Sequence, residues 1–417
     1  MCLCVCVSCV LFWMSSCLYV CEPCVPTCVS VCIACPVCLA SSPTSRPSGC
    51  RVGTLSRGEF EELLGPLKEH IVDMADKRKT ELDRTGTGMA TDGPKNDSFK
   101  VEDMDQLCVL GSGSFGRVIL VKHKATGDYL ALKMITKRHV VQKDMIKYVN
   151  QEKDLMEMCA GSKKHPFIVQ LHGACMDDTY LYLCLEALLG GEMYHLIERE
   201  CPMKADIARN YFIMVASAVE FLHSKQIIYR DLKPENMMLG ADGYIRLIDF
   251  GLSKYCTSKT FTICGTTEYM APEIVLGTGH GRAVDIWGLG IFLYELLVGY
   301  TPFNPRNELD QLEVCKNIVE GKISFKCGVT LMRDPTDLIT RLLQRDQKKR
   351  LGMSGDGFYE IREHPWFDRC PWKGIEEKKV QLHYVPRAPD IRRVKIPPDR
   401  EGRFDGDDSL FEEWAAK

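Results

Sequence analysis

The stretch LGSGSFGRV, residues 110–118, constrains this chain more than any other feature. Glycines at 111, 113 and 116 allow a backbone to close over a polyanion that any Cβ would obstruct. The G-x-G-x-x-G spacing alone is shared with dinucleotide-binding folds, where a helix follows at once. Here a basic hairpin follows instead, VKHKATGDYLALKMI, with ATGD as its turn. Lys133, in ALKM, then falls on a strand, and Glu152 lies in a helical stretch as its natural ion-pair partner. Each charge taken singly is most simply a solvated surface group; in this order the two belong to one phosphate-handling unit.

Three further motifs come in sequence: YRDLKPENMM (229–238), RLIDFGLSK (246–254) and EYMAPE (268–273). The set resembles the eukaryotic protein kinases over residues 104–367. The resemblance implies an α+β, bilobal fold: a small β-rich lobe, a large α-helical lobe and a C-terminal tail. It implies ATP and two Mg2+ ions as cofactors, since phosphoryl transfer needs positioning and charge neutralisation more than covalent help. The cofactor set it implies is Gly111, Gly113, Ser114, Gly116, Val118, Ala131, Lys133, Glu186, Leu188, Glu192, Asn236 and Asp249. Glu186-Ala187-Leu188 would form the adenine hinge, with Leu185 as gatekeeper. Asp231 would orient the substrate hydroxyl and take its proton, and Lys233 would steady the γ-phosphate. Lys133 with Glu152 completes the catalytic group. Asn236 and Asp249 are the expected metal ligands, an amide and a carboxylate suited to a hard cation. Glu273 would pair with Arg350, and Asp285 would anchor the catalytic loop.

YRD in place of HRD, the loop TFTICGTTEYMAPE and the closing EHPWF resemble the AGC group. That resemblance makes Thr262 the activation-loop phosphosite, its phosphate meeting Arg230 and Lys254 through charge-assisted bonds. Two departures stand out: Tyr148 occupies the place of a helix histidine, and Thr267 that of a proline beside the substrate pocket. Glu192, Glu235 and Glu295 match carboxylates that bind arginines before the target residue. The expected partners are therefore proteins with Arg or Lys ahead of Ser or Thr, and an upstream kinase for Thr262. Residues 368–417 are Pro-rich and charged and would read as disordered in isolation. Within the group such a tail wraps the small lobe, and Phe411 and Trp414 resemble its F-x-x-F motif, with Trp a conservative swap. Ala415 occupies a position where many relatives carry a phosphorylatable hydroxyl, so no phosphate switch is expected there.

The phrase LYLCLEALLGGE looks most like the cGMP-dependent protein kinases; the cAMP-dependent catalytic subunits are near neighbours and the alternative, with a non-catalytic kinase-fold scaffold a third reading. Residues 55–85 add to the cGMP reading. Ser56 and Glu59 have capping-box spacing, Leu55 and Phe60 suit a hydrophobic staple, and Gly65-Pro66 separates a second amphipathic helix. LSRGEFEELLGPL resembles the end of a cyclic-nucleotide-binding domain. The β-barrel of such a domain needs about 100 residues, and the 54 residues before Leu55 are not barrel-like. No direct cGMP binding is expected from the chain as it stands.

Composition enters at the N-terminus. Of 22 cysteines, 12 fall within the first 50 residues; the rest are scattered as in a reduced, cytoplasmic protein. Residues 1–54 admit three readings. An apolar anchor from Leu3 to Val20 lacks a preceding Lys or Arg. A metal site could use Cys21/Cys24, Cys32/Cys35 or Cys35/Cys38, but the last two pairs share a ligand. The favoured reading is a translated TG repeat, which encodes Cys-Val-Cys-Val. Residues 40–54 and 86–103 read as linkers. A net charge of −3 gives no reason to expect nucleic-acid binding.

Overall fold

The computed structural model describes residues 100–113, 116–160, 164–304, 309–325, 332–387 and 402–414. The readings placed on residues 1–85, including the cysteine-rich start and the capped helix at 55–67, lie outside the described residues, as do Ser114 and Ala415. At the end of the expected linker, Val101–Asp103 forms a single 3-10 turn, and Val101 packs against the first core.

Five strands make one antiparallel sheet: β1 (Met104–Gly113), β2 (Gly116–His123), β3 (Tyr129–Thr136), β4 (Leu171–Met176) and β5 (Tyr180–Glu186), in the order β1-β2-β3-β5-β4. The period-two rule assigns the faces. Leu130, Leu132 and Met134 of β3 join Ile119, Val121, Tyr180 and Tyr182 in a core on one side. Ala131 and Ile135 face the other side with Leu181, Leu183 and Leu185, against α2. Lys133 lies between Ala131 and Ile135 in the alternation, so the strand pleat itself delivers it to the face shared with α2. The two helices of this lobe are α1 (Lys137–Gln142) and α2 (Ile146–Ala160).

The remaining helices build the second lobe: α3 (Met193–Glu200), α4 (Ala205–Ser224), α5 (Pro272–Val275), α6 (Ala283–Val298), α7 (Gln311–Glu320), α8 (Arg333–Leu342), α9 (Tyr359–Arg362) and α10 (Trp372–Glu376). Apart from Glu295, every residue of α6 is buried, as expected of a helix apolar all round at the centre of a domain. Gly290 is required there: a Cβ would lie 2.7 Å from Leu343 Cδ2. Two short ribbons frame the loops between the lobes. β6 (Ile227–Ile228) pairs with β9 (Lys254–Tyr255), and β7 (Met237–Leu239) with β8 (Ile245–Leu247). A β-rich small lobe and a helical large lobe form the expected α+β bilobal architecture.

The described part of the tail is ordered by contacts that its composition does not advertise. Tyr244 Oη donates to the Val380 carbonyl at 2.6 Å, and the Arg199 guanidinium lies 4.7 Å from the Tyr384 ring centroid. Farther on, Asp408–Trp414 makes 3-10 turns beside α2 and β4, burying Phe411 and Trp414 completely. The end of the tail therefore packs on the small lobe, while its earlier described part packs on the large lobe through Tyr244 and Arg199.

Candidate active site

β2 and β3 supply the roof of the cleft. Val118 stands opposite Lys133, and Ala131 opposite Leu120 on β2 and Leu185 on β5. At Gly116 a Cβ would come within 1.8 Å of the Met134 carbonyl oxygen, so this glycine is needed for the strands to approach. At Gly111 nothing lies within 4 Å of that position, leaving open space beneath the loop.

Lys133 Nζ meets Glu152 Oε1 at 2.6 Å and Asp249 Oδ1 at 4.0 Å. Burial works against its charge, but the carboxylates of Glu152 and Asp249 outweigh it and hold its pKa above the ordinary lysine value. The ammonium is thus a permanent cation between α2 and the start of the activation segment. Glu186 commits its carboxylate to Arg246 Nε at 3.2 Å and to the Gln170 N–H, so only its backbone remains for an adenine ring.

The catalytic loop is suspended from α6. Asp285 accepts the backbone N–H groups of Tyr229 and Arg230 at 2.9 and 2.8 Å, and His223 Nε2 lies 2.7 Å from the same carboxylate. Arg230 takes a left-handed φ of 69° at this point. Asp231 then gathers three side chains. Asn236 Nδ2 donates to its Oδ2 at 2.8 Å, Lys233 Nζ lies 3.1 Å from the same oxygen, and Thr266 Oγ1 donates to Oδ1 at 3.2 Å. Lys233 also donates to Thr266 at 2.9 Å. Thr266 carries no signal of this role in the sequence, because its neighbours there are activation-loop residues; only the fold brings it to Asp231.

The donor chemistry fits a divalent cation and a nucleotide. Asn236 uses its NH2 on Asp231, which leaves the amide oxygen as a cation ligand. Asp249 holds the Gly251 N–H at 2.9 Å and stays half-exposed. Asn236 and Asp249 would hold magnesium through an amide oxygen and a carboxylate, which suit a hard cation, and the ion would supply positive charge beside the phosphates.

Around Thr262, which is half-buried, Arg230 Nε donates to the Leu252 carbonyl at 2.7 Å and Lys254 Nζ to Thr260 Oγ1 at 3.0 Å. Arg230 Nη1 is buried without a hydrogen-bond partner among the described residues. His280, buried nearby and carrying no sequence signal, has its pKa held down to about 4 by burial and then by Arg230 and Lys254, with Asp285 opposing. Tyr148 is partly exposed on α2. Thr267 begins a 3-10 turn, Thr267–Tyr269, that forms without the proline.

Two of the expected substrate carboxylates, Glu235 and Glu295, share an electrostatic neighbourhood. Glu235 is exposed and Glu295 half-buried, and Glu268 completes an acidic group with them. Glu268 is held by Thr301 Oγ1 at 3.0 Å and Asn304 Nδ2 at 2.6 Å. Glu295 accepts a short bond from Tyr269 Oη. Burial, then repulsion from Glu235 and Glu268, raises its pKa to about 7 despite that bond. Glu192 precedes α3, in a backbone bridge to Met238, and α3 packs against the turn Pro234–Asn236 that carries Glu235.

The geometry of a two-lobed phosphotransfer cleft has its counterpart in sequence comparison. The protein kinase domain model matches residues 104–367, and the chain belongs to that family. More particularly, it is 38% identical to a cAMP-dependent protein kinase catalytic subunit of Dictyostelium discoideum over 70% of this chain and 44% of that protein. It is 36% identical to the human cAMP-dependent protein kinase catalytic subunit PRKX, over 70% of this chain and 80% of the relative. Protein kinase 3 of Dictyostelium discoideum is 39% identical over 71% of this chain. The match spans about a third of that last protein and under half of the first.

Proposed function

We propose that this protein is a serine/threonine kinase of the AGC group, of the cAMP-dependent catalytic-subunit type, using Mg-ATP. The observation that carries the reading is Asp231, held by Asn236, Lys233 and Thr266 at 2.8–3.2 Å. In that reading Asp231 orients the target hydroxyl and accepts its proton, while Lys233 and Lys133 face the phosphates. Bound magnesium would neutralise charge on the transferred group. Phosphate on Thr262 would be received by the unpartnered Arg230 Nη1 and by Lys254. Glu235, Glu295 and Glu268 would take Arg or Lys of the substrate.

The relatives' names favour the cAMP-dependent type. The cGMP-dependent reading rests only on the phrase at 181–192 and on residues 55–67. A cytoplasmic location belongs to the same proposal, supported by free cysteines among the described residues. Phosphate transfer from Mg-ATP to an Arg-rich peptide, insensitive to added cAMP or cGMP, is the expected result. ATP binding without turnover, even after Thr262 phosphorylation, would establish the scaffold reading instead.

Peptide recognition should depend on pH. With a pKa of about 7, Glu295 is mostly neutral at pH 6 and mostly ionised at pH 8. An arginine binds the ionised form, so KM for the peptide should fall roughly three- to tenfold from pH 6 to pH 8. Glu295→Gln should flatten that slope. An unchanged slope in the variant would remove Glu295 from substrate binding.

A further inference from the structure

His280 stands just before α6, and no step of phosphoryl transfer uses it. Its backbone pairs with that of Thr260, each N–H reaching the other's carbonyl at 2.8 Å. Residues directly opposite in such a pair carry their side chains on one face. Thr260 Oγ1 accepts from Lys254 Nζ at 3.0 Å, so the imidazole shares its face with that ammonium. His280 is 1% exposed, and its Nε2 has no hydrogen-bond partner among the described residues.

The activation segment turns Thr262 toward the same face. From Thr260 to Cys264 the chain runs without turn or bend, and burial alternates along it. Thr260 is buried and Thr262 and Cys264 half-buried, while Phe261 and Ile263 between them are 46% and 47% exposed. Period two therefore points 260, 262 and 264 inward together. At one end Thr260 holds Lys254. At the other, burial raises the pKa of the Cys264 thiol while Arg230 and Lys254 pull it down. Thr262 is bracketed by these contacts with the two cations. Arg230 Nη1, like His280 Nε2, is buried without a hydrogen-bond partner among the described residues. Buried nitrogens left unpaired are costly, and an anion with several acceptor oxygens satisfies both.

We propose that His280 is a third ligand, with Arg230 and Lys254, for a phosphate carried by Thr262. A ring N–H donates to one phosphate oxygen. Tyr148 of α2 occupies the place of a helix histidine and brings no cation, so the imidazole comes from the large lobe instead. Phosphorylation thereby fastens the activation segment to the catalytic loop, to β9 and to the entry of α6. Burial, then the charges of Arg230 and Lys254, hold the pKa of His280 to about 4, with Asp285 opposing. A phosphate dianion offsets those two cations, which lets the ring take a proton and strengthens its bond.

The inference rests on reading Thr262 as a phosphosite, and its test separates the two. The full chain is made with phosphothreonine placed at 262 during translation, without any upstream kinase, and compared with the unmodified chain. His280→Phe keeps a ring and removes both nitrogens, whereas His280→Gln keeps a donor. Phosphorylation should raise the Tm of the parent by several degrees. His280→Phe should lose about half of that gain and His280→Gln little of it. A phosphatase should release phosphate about tenfold faster from the phosphorylated Phe variant than from the phosphorylated parent. In the parent, the imidazole resonance that His280→Gln removes should titrate about two pH units higher after phosphorylation. Should the Phe variant fail to fold, that titration decides. A His280→Phe variant destabilised equally with and without phosphate, or an imidazole titration that phosphorylation leaves unmoved, would overturn the proposal while Thr262 stands. No gain in the parent removes Thr262 as the switch, and this proposal with it. Turnover enters none of these readouts, so a chain that transfers no phosphate still decides the question.

Discussion

Asp231→Ala should lower kcat for peptide phosphorylation by roughly 10³-fold, within the range associated with loss of a positioned general base. The structure argues for a large effect because Asp231 is also an anchor. Without it, Asn236 loses its 2.8 Å partner, and Thr266 and Lys233 are left bonded only to each other. Asp231→Asn separates the two contributions. It preserves the size of the side chain but not its basicity, so it should lose nearly as much activity. Neither change removes core packing, and thermal unfolding should stay within a few degrees of the parent. Radiolabelled phosphate transfer with purified variants measures the first effect, and circular dichroism the second. Activity within tenfold of the parent in both variants would remove Asp231 from the chemistry. Lys133→Met, which strands Glu152 without its cation, is the companion control.

The second large effect is on stability and lies away from the cleft. Arg350 makes a bidentate pair with Glu273 at 2.7 and 2.9 Å, donates to the Ala283 carbonyl at 2.7 Å, and is completely buried. Its guanidinium also stacks 5.1 Å from the Trp287 ring centroid. Removing one member of a buried pair leaves the other charge without water or partner. Arg350→Met should therefore cost about 3–5 kcal/mol. For a domain of this size that is a fall in Tm of roughly 10 °C. The double variant Glu273→Leu/Arg350→Met should recover part of the loss, because no unpaired charge remains. A single variant that melts with the parent would mean that the pair contributes nothing to holding α5 against α6.

Much of this molecule is legible in its amino-acid sequence, and for a definite reason. Phosphate handling asks for particular residue types at particular spacings along the chain, so LGSGSFGRV, ALKM, YRDLKPEN and DFG announce themselves. The period-two pattern of β3 puts Lys133 on the cleft face, and the apolar run of α6 marks the central helix. The Lys133–Glu152 and Glu273–Arg350 pairs are both expected from sequence and both form.

What the sequence does not reveal is what depends on distant segments meeting. Thr266 joins Asp231 across 35 positions, and Glu268 enters the acidic group because Thr301 and Asn304 hold it there. The pKa of Glu295 is set by burial and by the neighbouring carboxylates, neither of which has a local signature. Trp414 is the clearest case: its identity suggests only bulk, and its hydrogen bond exists because Asn150, 264 residues earlier, faces it.

The sequence by itself therefore determined the family and the residue types that a phosphate-handling site asks for, since reacting groups must be present as types. Only the tertiary structure decided which of them are held, by what, and in which charge state. Hydrogen bonds and desolvation depend on distance and orientation, and the chain acquires those only when its separate segments pack together.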